Sequence, residues 1–254
     1  MNSKTTKNAL AIALLVSVLG AAQTGTSPPR PVRIHATPEP VGLTPEMRIV
    51  AGHITANSLR ADVSFLASDL LEGRDTPSRG LDIAGEYIAS QFRRLGLEPA
   101  GGDGYFQTVV VRPEDADSPK SRNVAGILRG SDPQLKDTYV MLSAHYDHVG
   151  LAESGDDRIF NGANDDASGT AAVLEVANAL AALHPRPKRS VLFILFCGEE
   201  KGLRGSRYYA DHPLVPLDKT IADLNLEQLG RTDAPEGAHL NSCLLYTSPS
   251  PRDS

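Results

Sequence analysis

Val191-Leu192-Phe193-Ile194-Leu195-Phe196-Cys197 is a run of seven residues without a polar side chain. A strand with one wet face alternates apolar and polar residues, so this run predicts a central strand covered on both faces. Upstream lies a second short apolar run, Val140-Met141-Leu142-Ser143-Ala144. Between the two, Val173, Leu174, Ala177 and Leu180 recur at helical spacing, predicting a helix over residues 167–183. Downstream, a helix is expected around residues 203–210 and a short strand over 221–226. This alternation predicts an α/β domain of three layers, a mixed and largely parallel sheet with helices on both faces.

Earlier in the chain, Leu59, Val63, Leu66, Leu70 and Leu71 form one helical stripe, predicting a helix over 59–71. Ile83, Ala84, Tyr87, Ile88, Phe92 and Leu95 form another over 81–95, with Gly96 as its stop. Strands are expected over 105–111 and 123–128, joined by a polar loop carrying Pro113 and Pro119. There is no sign of an internal repeat.

The 254 residues are 41% hydrophobic and 22% charged, ordinary globular usage with enough chain for a substantial core. The net charge of −6 argues against nucleic-acid binding, which concentrates Lys and Arg. Two cysteines cannot build a disulfide scaffold.

The N-terminus reads as a secretory signal over residues 1–22: Lys4 and Lys7, an uncharged apolar run from 9 to 19, then Gly20, Ala21 and Ala22. That run is too short to span a bilayer, so a secreted or periplasmic protein without a membrane span is expected. Residues 23–56 are Pro-rich, with Pro28, Pro29, Pro31, Pro38, Pro40 and Pro45, and read as an extended linker. Residues 57–241 form the expected folded domain, partial at its C-terminal end. Residues 242–254 lack periodicity and read as a non-native tail, with the natural chain expected to continue past Asn241.

Acidic and imidazole groups fall where the predicted sheet strands end. His145 and Asp147 follow the first of the two apolar strands, and Asn164-Asp165-Asp166 precede the long helix. Glu199 and Glu200 follow the all-apolar strand, and Glu227 follows the last. In open α/β sheets the ligand crevice lies outside the carboxyl ends of the strands, so these groups should meet in one cleft. Clustered carboxylates around an imidazole call for a compensating cation, and mixed His and carboxylate ligation suits zinc, with manganese or cobalt also possible.

Three blocks, Ser143-Ala144-His145-Tyr146-Asp147-His148-Val149-Gly150, Gly162-Ala163-Asn164-Asp165-Asp166-Ala167-Ser168-Gly169 and Gly198-Glu199-Glu200-Lys201-Gly202-Leu203-Arg204-Gly205-Ser206, resemble those of the two-zinc aminopeptidase family, metallopeptidase family twenty-eight. Asn225-Leu226-Glu227-Gln228-Leu229-Gly230-Arg231 resembles the next block, where Asp is more usual than Glu227. The resemblance implies a zinc exopeptidase-like fold and two Zn2+ ions. Asp165 would bridge them, His145 and Glu227 would complete one site, and Glu200 would belong to the other. Glu199 would be the general base, and Asp147 would hold the far nitrogen of His145. The peptide between Asp165 and Asp166 is expected to be cis.

Some residues carry plainer readings. Either Asp165 or Asp166 could cap the helix. His148 and the Glu72-Gly73-Arg74 feature are read as structural, and Cys197 as a packed thiol. The family pattern has one further histidine downstream of the Glu227 block. Only His239 follows Glu227 here, and it comes too soon, so the second zinc site is expected to be incomplete in this chain. The leading expectation is an exported aminopeptidase acting on peptides. A carboxypeptidase or glutaminyl cyclase of the same fold, or a binding ectodomain without catalysis, are the alternatives.

Overall fold

The computed structural model describes residues 43–115 and 117–230, with the backbone of 243–246. The expected signal segment, residues 23–42 of the expected linker, residues 231–241 of the expected domain with His239, and residues 242 and 247–254 of the expected tail lie outside these. No helix among the described residues is long and apolar enough to cross a membrane.

The elements in chain order are α1 (Pro45–His53), α2 (Ala56–Leu66), α3 (Arg79–Arg94), β1 (Glu98–Pro99), β2 (Phe106–Val110), β3 (Lys120–Leu128), β4 (Tyr139–His145), α4 (Ser168–Ala181), β5 (Ser190–Phe196), α5 (Arg204–Asp211), β6 (Thr220–Leu226) and β7 (Cys243–Tyr246). They form one sheet in the order β1-β3-β5-β4-β6-β7, with β2 also paired to β3. β5, β4 and β6 run parallel at its centre, while β3 and β7 lie antiparallel on either side.

The all-apolar run is β5, buried along its whole length between β3 and β4. Val191, Phe193 and Leu195 face a core made with α2, α3 and α4, whereas Leu192, Ile194 and Phe196 face a second core with Tyr209 of α5 and Val215. Each such side chain removed from water contributes about 1.5–3 kcal/mol, which is why polar residues are excluded from both faces here. The expected three-layer α/β architecture is therefore present.

Two expectations need correction. Pro45–His53, inside the expected linker, is helical: Thr44 accepts a hydrogen bond from the Met47 amide, and Pro45 occupies the first turn, where no amide donor is needed. The helix expected over 59–71 starts at Ala56, behind a Thr55–Ser58 capping box, and stops at Leu66. A 3₁₀ turn over Asp69–Arg74 follows, because Glu72, Gly73 and Arg74 adopt left-handed backbone angles that no α-helix accommodates. Leu70 consequently points to solvent, 85% exposed, while Leu71 is buried. Cys243–Tyr246, within the expected tail, pairs antiparallel with β6.

Candidate metal centre

Strand register decides which residues meet. His145 pairs level with Phe196 across β4 and β5, and Ser143 pairs with Asn225 across β4 and β6. His145 and Glu227 each lie two residues beyond that last pair, so both emerge at the same height and on the same side. From β5 the chain turns at Gly198, whose φ of +69° suits glycine, and delivers Glu199 and Glu200 to the same rim. The start of α4 is tied there by Thr170 Oγ1, which donates to the His145 carbonyl at 2.8 Å.

Two groups of potential ligands result, each with its donor atoms within 4.8 Å of one another: His145, Asp165 and Glu227, and His148, Asp165 and Glu200. Asp165 is common to both. The structure thus brings together His145, Asp165, Glu200 and Glu227, the four residues expected to hold metal, and adds His148. Glu199 lines a cavity with His145 and Glu227.

His145 is 4% exposed, with Nε2 3.1 Å from Asp165 Oδ1 and Nδ1 3.5 Å from Asp147 Oδ1. Neither buried nitrogen makes a well-directed hydrogen bond. Burial opposes charging the ring, but Asp147, Asp165 and Asp166 outweigh it and push its pKa up to about 11. A buried imidazole with unsatisfied nitrogens among carboxylates fits a divalent cation, and the His and carboxylate donor set fits zinc. Contact with His145, working against burial, also holds Asp165 below the usual carboxylate range.

The adjacent aspartates divide their work, and the peptide between them is cis. Asp166 is fully buried; its Oδ1 accepts from the amides of Gly169 (2.9 Å) and Gln228 (3.1 Å), and its Oδ2 from the His145 amide (3.3 Å). It caps α4 and ties that helix to the ends of β4 and β6. Burial pushes its pKa up to about 7, despite the opposing influence of His145 and the three amides.

Asp147 is fully buried and accepts from Thr76 Oγ1 (3.0 Å) and the Glu199 amide (3.1 Å). It therefore links the far side of His145 to the backbone of the expected base. Burial raises the Glu199 carboxyl, against the pull of His145 and with help from Glu200, Glu227 and Asp147.

Beneath both groups lies Arg74, 1% exposed. Its guanidinium donates to the carbonyls of Tyr146 (2.9 Å), Asn161 (2.8 Å), Gly162 (3.1 Å) and Leu66, while its own carbonyl accepts from the His148 amide at 3.1 Å. Burial lowers its pKa to about 10 in spite of Asp147, Asp166 and Asp165 nearby. The structural reading of Arg74 stands, but its position makes it the underside of the site. Sequence reasoning missed Thr76, left Asp166 undecided, and set His148 aside. The only signal for Thr76 was its place just beyond the Glu72-Gly73-Arg74 feature.

The sequence profile of peptidase family M28 matches residues 123–241. A probable zinc metalloprotease of Pyrenophora teres f. teres is 31% identical over 220 residues, covering 83% of this chain and 44% of that protein. The aminopeptidase YwaD of Bacillus subtilis is 36% identical over 139 residues, covering 54% and 28%. This chain thus spans less than half the length of these curated relatives. Among solved structures, a Zn-dependent exopeptidase from Parabacteroides distasonis shares the fold at a TM-score of 0.56 and 23% identity, covering 71% of this chain and 63% of that one. An aminopeptidase from Aneurinibacillus sp. shares it at 0.55 and 17%, covering 74% and 73%. Through residues 123–241, this chain belongs to peptidase family M28.

Proposed function

We propose that this chain carries the metal centre of an exported zinc-dependent exopeptidase, an aminopeptidase that removes N-terminal residues from peptides. The observation that supports it most is the sharing of Asp165 between two ligand groups, since a bridging carboxylate is what places two cations side by side. The aminopeptidase arm draws support from the relative named as one in Bacillus subtilis. The export arm rests on the signal-like residues 1–22.

Zinc bound to these residues would supply the Lewis acidity and the positive charge that peptide hydrolysis requires. His145 and Glu227 would hold one ion, Glu200 would serve the other, and Asp165 would span both. Asp147 keeps the His145 ring oriented from behind. Glu199, next to a ligand and held above the usual carboxylate range by burial, takes a proton from the attacking water and returns it to the leaving amine. Thr76 and Asp147 hold the Gly198 and Glu199 amides, so the base approaches from a fixed direction.

The test is turnover of aminoacyl chromogenic substrates by the whole protein. Chelation should abolish it and zinc restore it. Glu199→Gln should lower kcat by roughly 10²–10⁴-fold with metal content unchanged. Equal loss of metal and rate would remove Glu199 from the role of base.

A further inference from the structure

We infer that the cavity beside His145 and Glu227 seats the basic side chain of a peptide's N-terminal residue, lysine in particular, with Asp223 as its counter-charge. This rests on the aminopeptidase reading above and names the substrate class.

The cavity encloses about 170 Å3. A space of about 150 Å3 takes up a benzene ring, so a four-carbon chain with an ammonium tip fits. Its wall runs down β6 from Glu227 through Asn225 to Asp223, alternate residues on one face of the strand. Across from Asn225, Ser143 stands two residues before His145, about 7 Å along β4. The Asp223 carboxylate is fixed at that depth, accepting from Ser143 Oγ at 2.9 Å. An extended lysine side chain covers the same span, with Leu203 and Phe196 in the wall to cover its methylenes.

Three carboxylates line this cavity, and no Lys or Arg does. Glu199 and Glu227 have work in the metal centre; Asp223 has none. Among the described residues it pairs with no cation, and burial pushes its pKa up to about 6, so at pH 8 it is a lone anion. Anchoring Ser143 does not require that charge, because Asn225 Oδ1 lies 3.1 Å from the same hydroxyl. A second group nearby is also unpaired. Tyr209 of α5 is 4% exposed, packs edge-on against Phe196, and leaves its hydroxyl without a partner among the described residues. Burial and then the charge of Asp223 push its pKa up to about 12, which places the hydroxyl within electrostatic reach of that carboxylate. An ammonium brings three N–H donors and a positive charge, and so answers both needs at once.

The test compares the p-nitroanilides of lysine and norleucine, which share a four-carbon chain and differ in the charged tip. With the whole zinc-loaded protein at pH 8, wild type should favour lysine by at least about 100-fold in kcat/KM. Asp223→Asn keeps the shape and an acceptor but removes the charge, and should lower that ratio by about 30-fold or more. The ratio is taken within one protein, so a smaller folded fraction cancels out of it. Calorimetry of the metal-free protein with lysinamide and norleucinamide adds a readout independent of turnover. Lysinamide should bind wild type at least about tenfold more tightly, and the difference should vanish in Asp223→Asn. Turnover that favours norleucine, or a lysine preference that survives Asp223→Asn, overturns the inference and leaves the aminopeptidase reading standing. No turnover of either substrate, with lysinamide still held through Asp223, removes the aminopeptidase reading and keeps the basic pocket. No turnover and no binding preference ends both.

Discussion

The two ligand groups share Asp165 and differ in almost everything else. His145 is the last residue of β4, 4% exposed, with a fully buried carboxylate behind it and paired with Phe196 of β5. His148 stands three residues further on, in a loop fixed by the carbonyl of Arg74 and by its packing on Gly162. The first group is thus organised by the sheet and the second by loop packing. A ligand on a rigid element backed by a hydrogen-bond acceptor costs little to order, whereas a loop ligand must be held by whatever packs on it. The first site should therefore be the tighter one, and a chelator titration should empty the second first.

The largest effect should come from Asp165→Asn, which removes the charge both groups share. Uptake of both cations should weaken, and peptidase activity should fall by about 10³-fold or more. Loss of only one cation, measured by metal analysis after dialysis, would break the symmetry on which the comparison rests. Arg74→Met comes next. It leaves the carbonyls of Tyr146, Asn161 and Gly162 without their buried donor and the nearby carboxylates without a cation. Unfolding in denaturant should show a loss of about 3–5 kcal/mol. Refolding by added zinc should be partial, because the segments that follow β4 and precede α4 lose their common anchor.

A sharper test of the difference is Asp147→Asn. The carboxylate lies behind His145, whereas among the described residues His148 pairs with no carboxylate besides Glu200, so the variant should weaken first-site zinc affinity by about 10–100-fold and spare the second. Competition against a chromophoric chelator measures both constants. Equal weakening of the two sites would mean that Asp147 acts through the Glu199 backbone rather than through the imidazole.

Much of this centre was legible in the sequence because parallel strands turn position into proximity. Once β4, β5 and β6 are recognised, the residues just after each strand must meet, which is how His145, Glu200 and Glu227 could be placed. Asp165 and Asp166 were harder: both precede α4, and only the backbone shows that Asp166 accepts the α4 amide while Asp165 faces the imidazole. His148 was passed over because no periodicity governs a loop; its placement depends on contacts with Arg74 and Gly162 that are remote in sequence. Arg74 itself follows a turn of left-handed residues that interrupts an otherwise continuous apolar stripe. Periodicity extended α2 to residue 71 because side-chain spacing carries no information about backbone angle.

The floor of the first group offers the smallest but cleanest test. Asp223 lies in β6, lines the same cavity as His145 and Glu227, and accepts a hydrogen bond from Ser143 at 2.9 Å. Burial pushes its pKa up from 3.8 to about 6, with the Ser143 hydrogen bond pulling the other way. Because the folded state holds this proton more tightly than the unfolded chain, the associated stability is present below about pH 4. It is lost as pH rises through 6. Above that, the folded protein carries a buried carboxylate at a cost of about 1–3 kcal/mol, reduced by what solvent reaches it. Asp223→Asn mimics the neutral form at every pH, so it should stabilise the metal-free protein at pH 8 and change little at pH 4. Thermal unfolding at the two values measures the difference. No gain at pH 8 would mean that the floor is wetter than its packing implies. The contrast between a sheet-built site and a loop-built one would then have to rest on His145 and Asp147 alone.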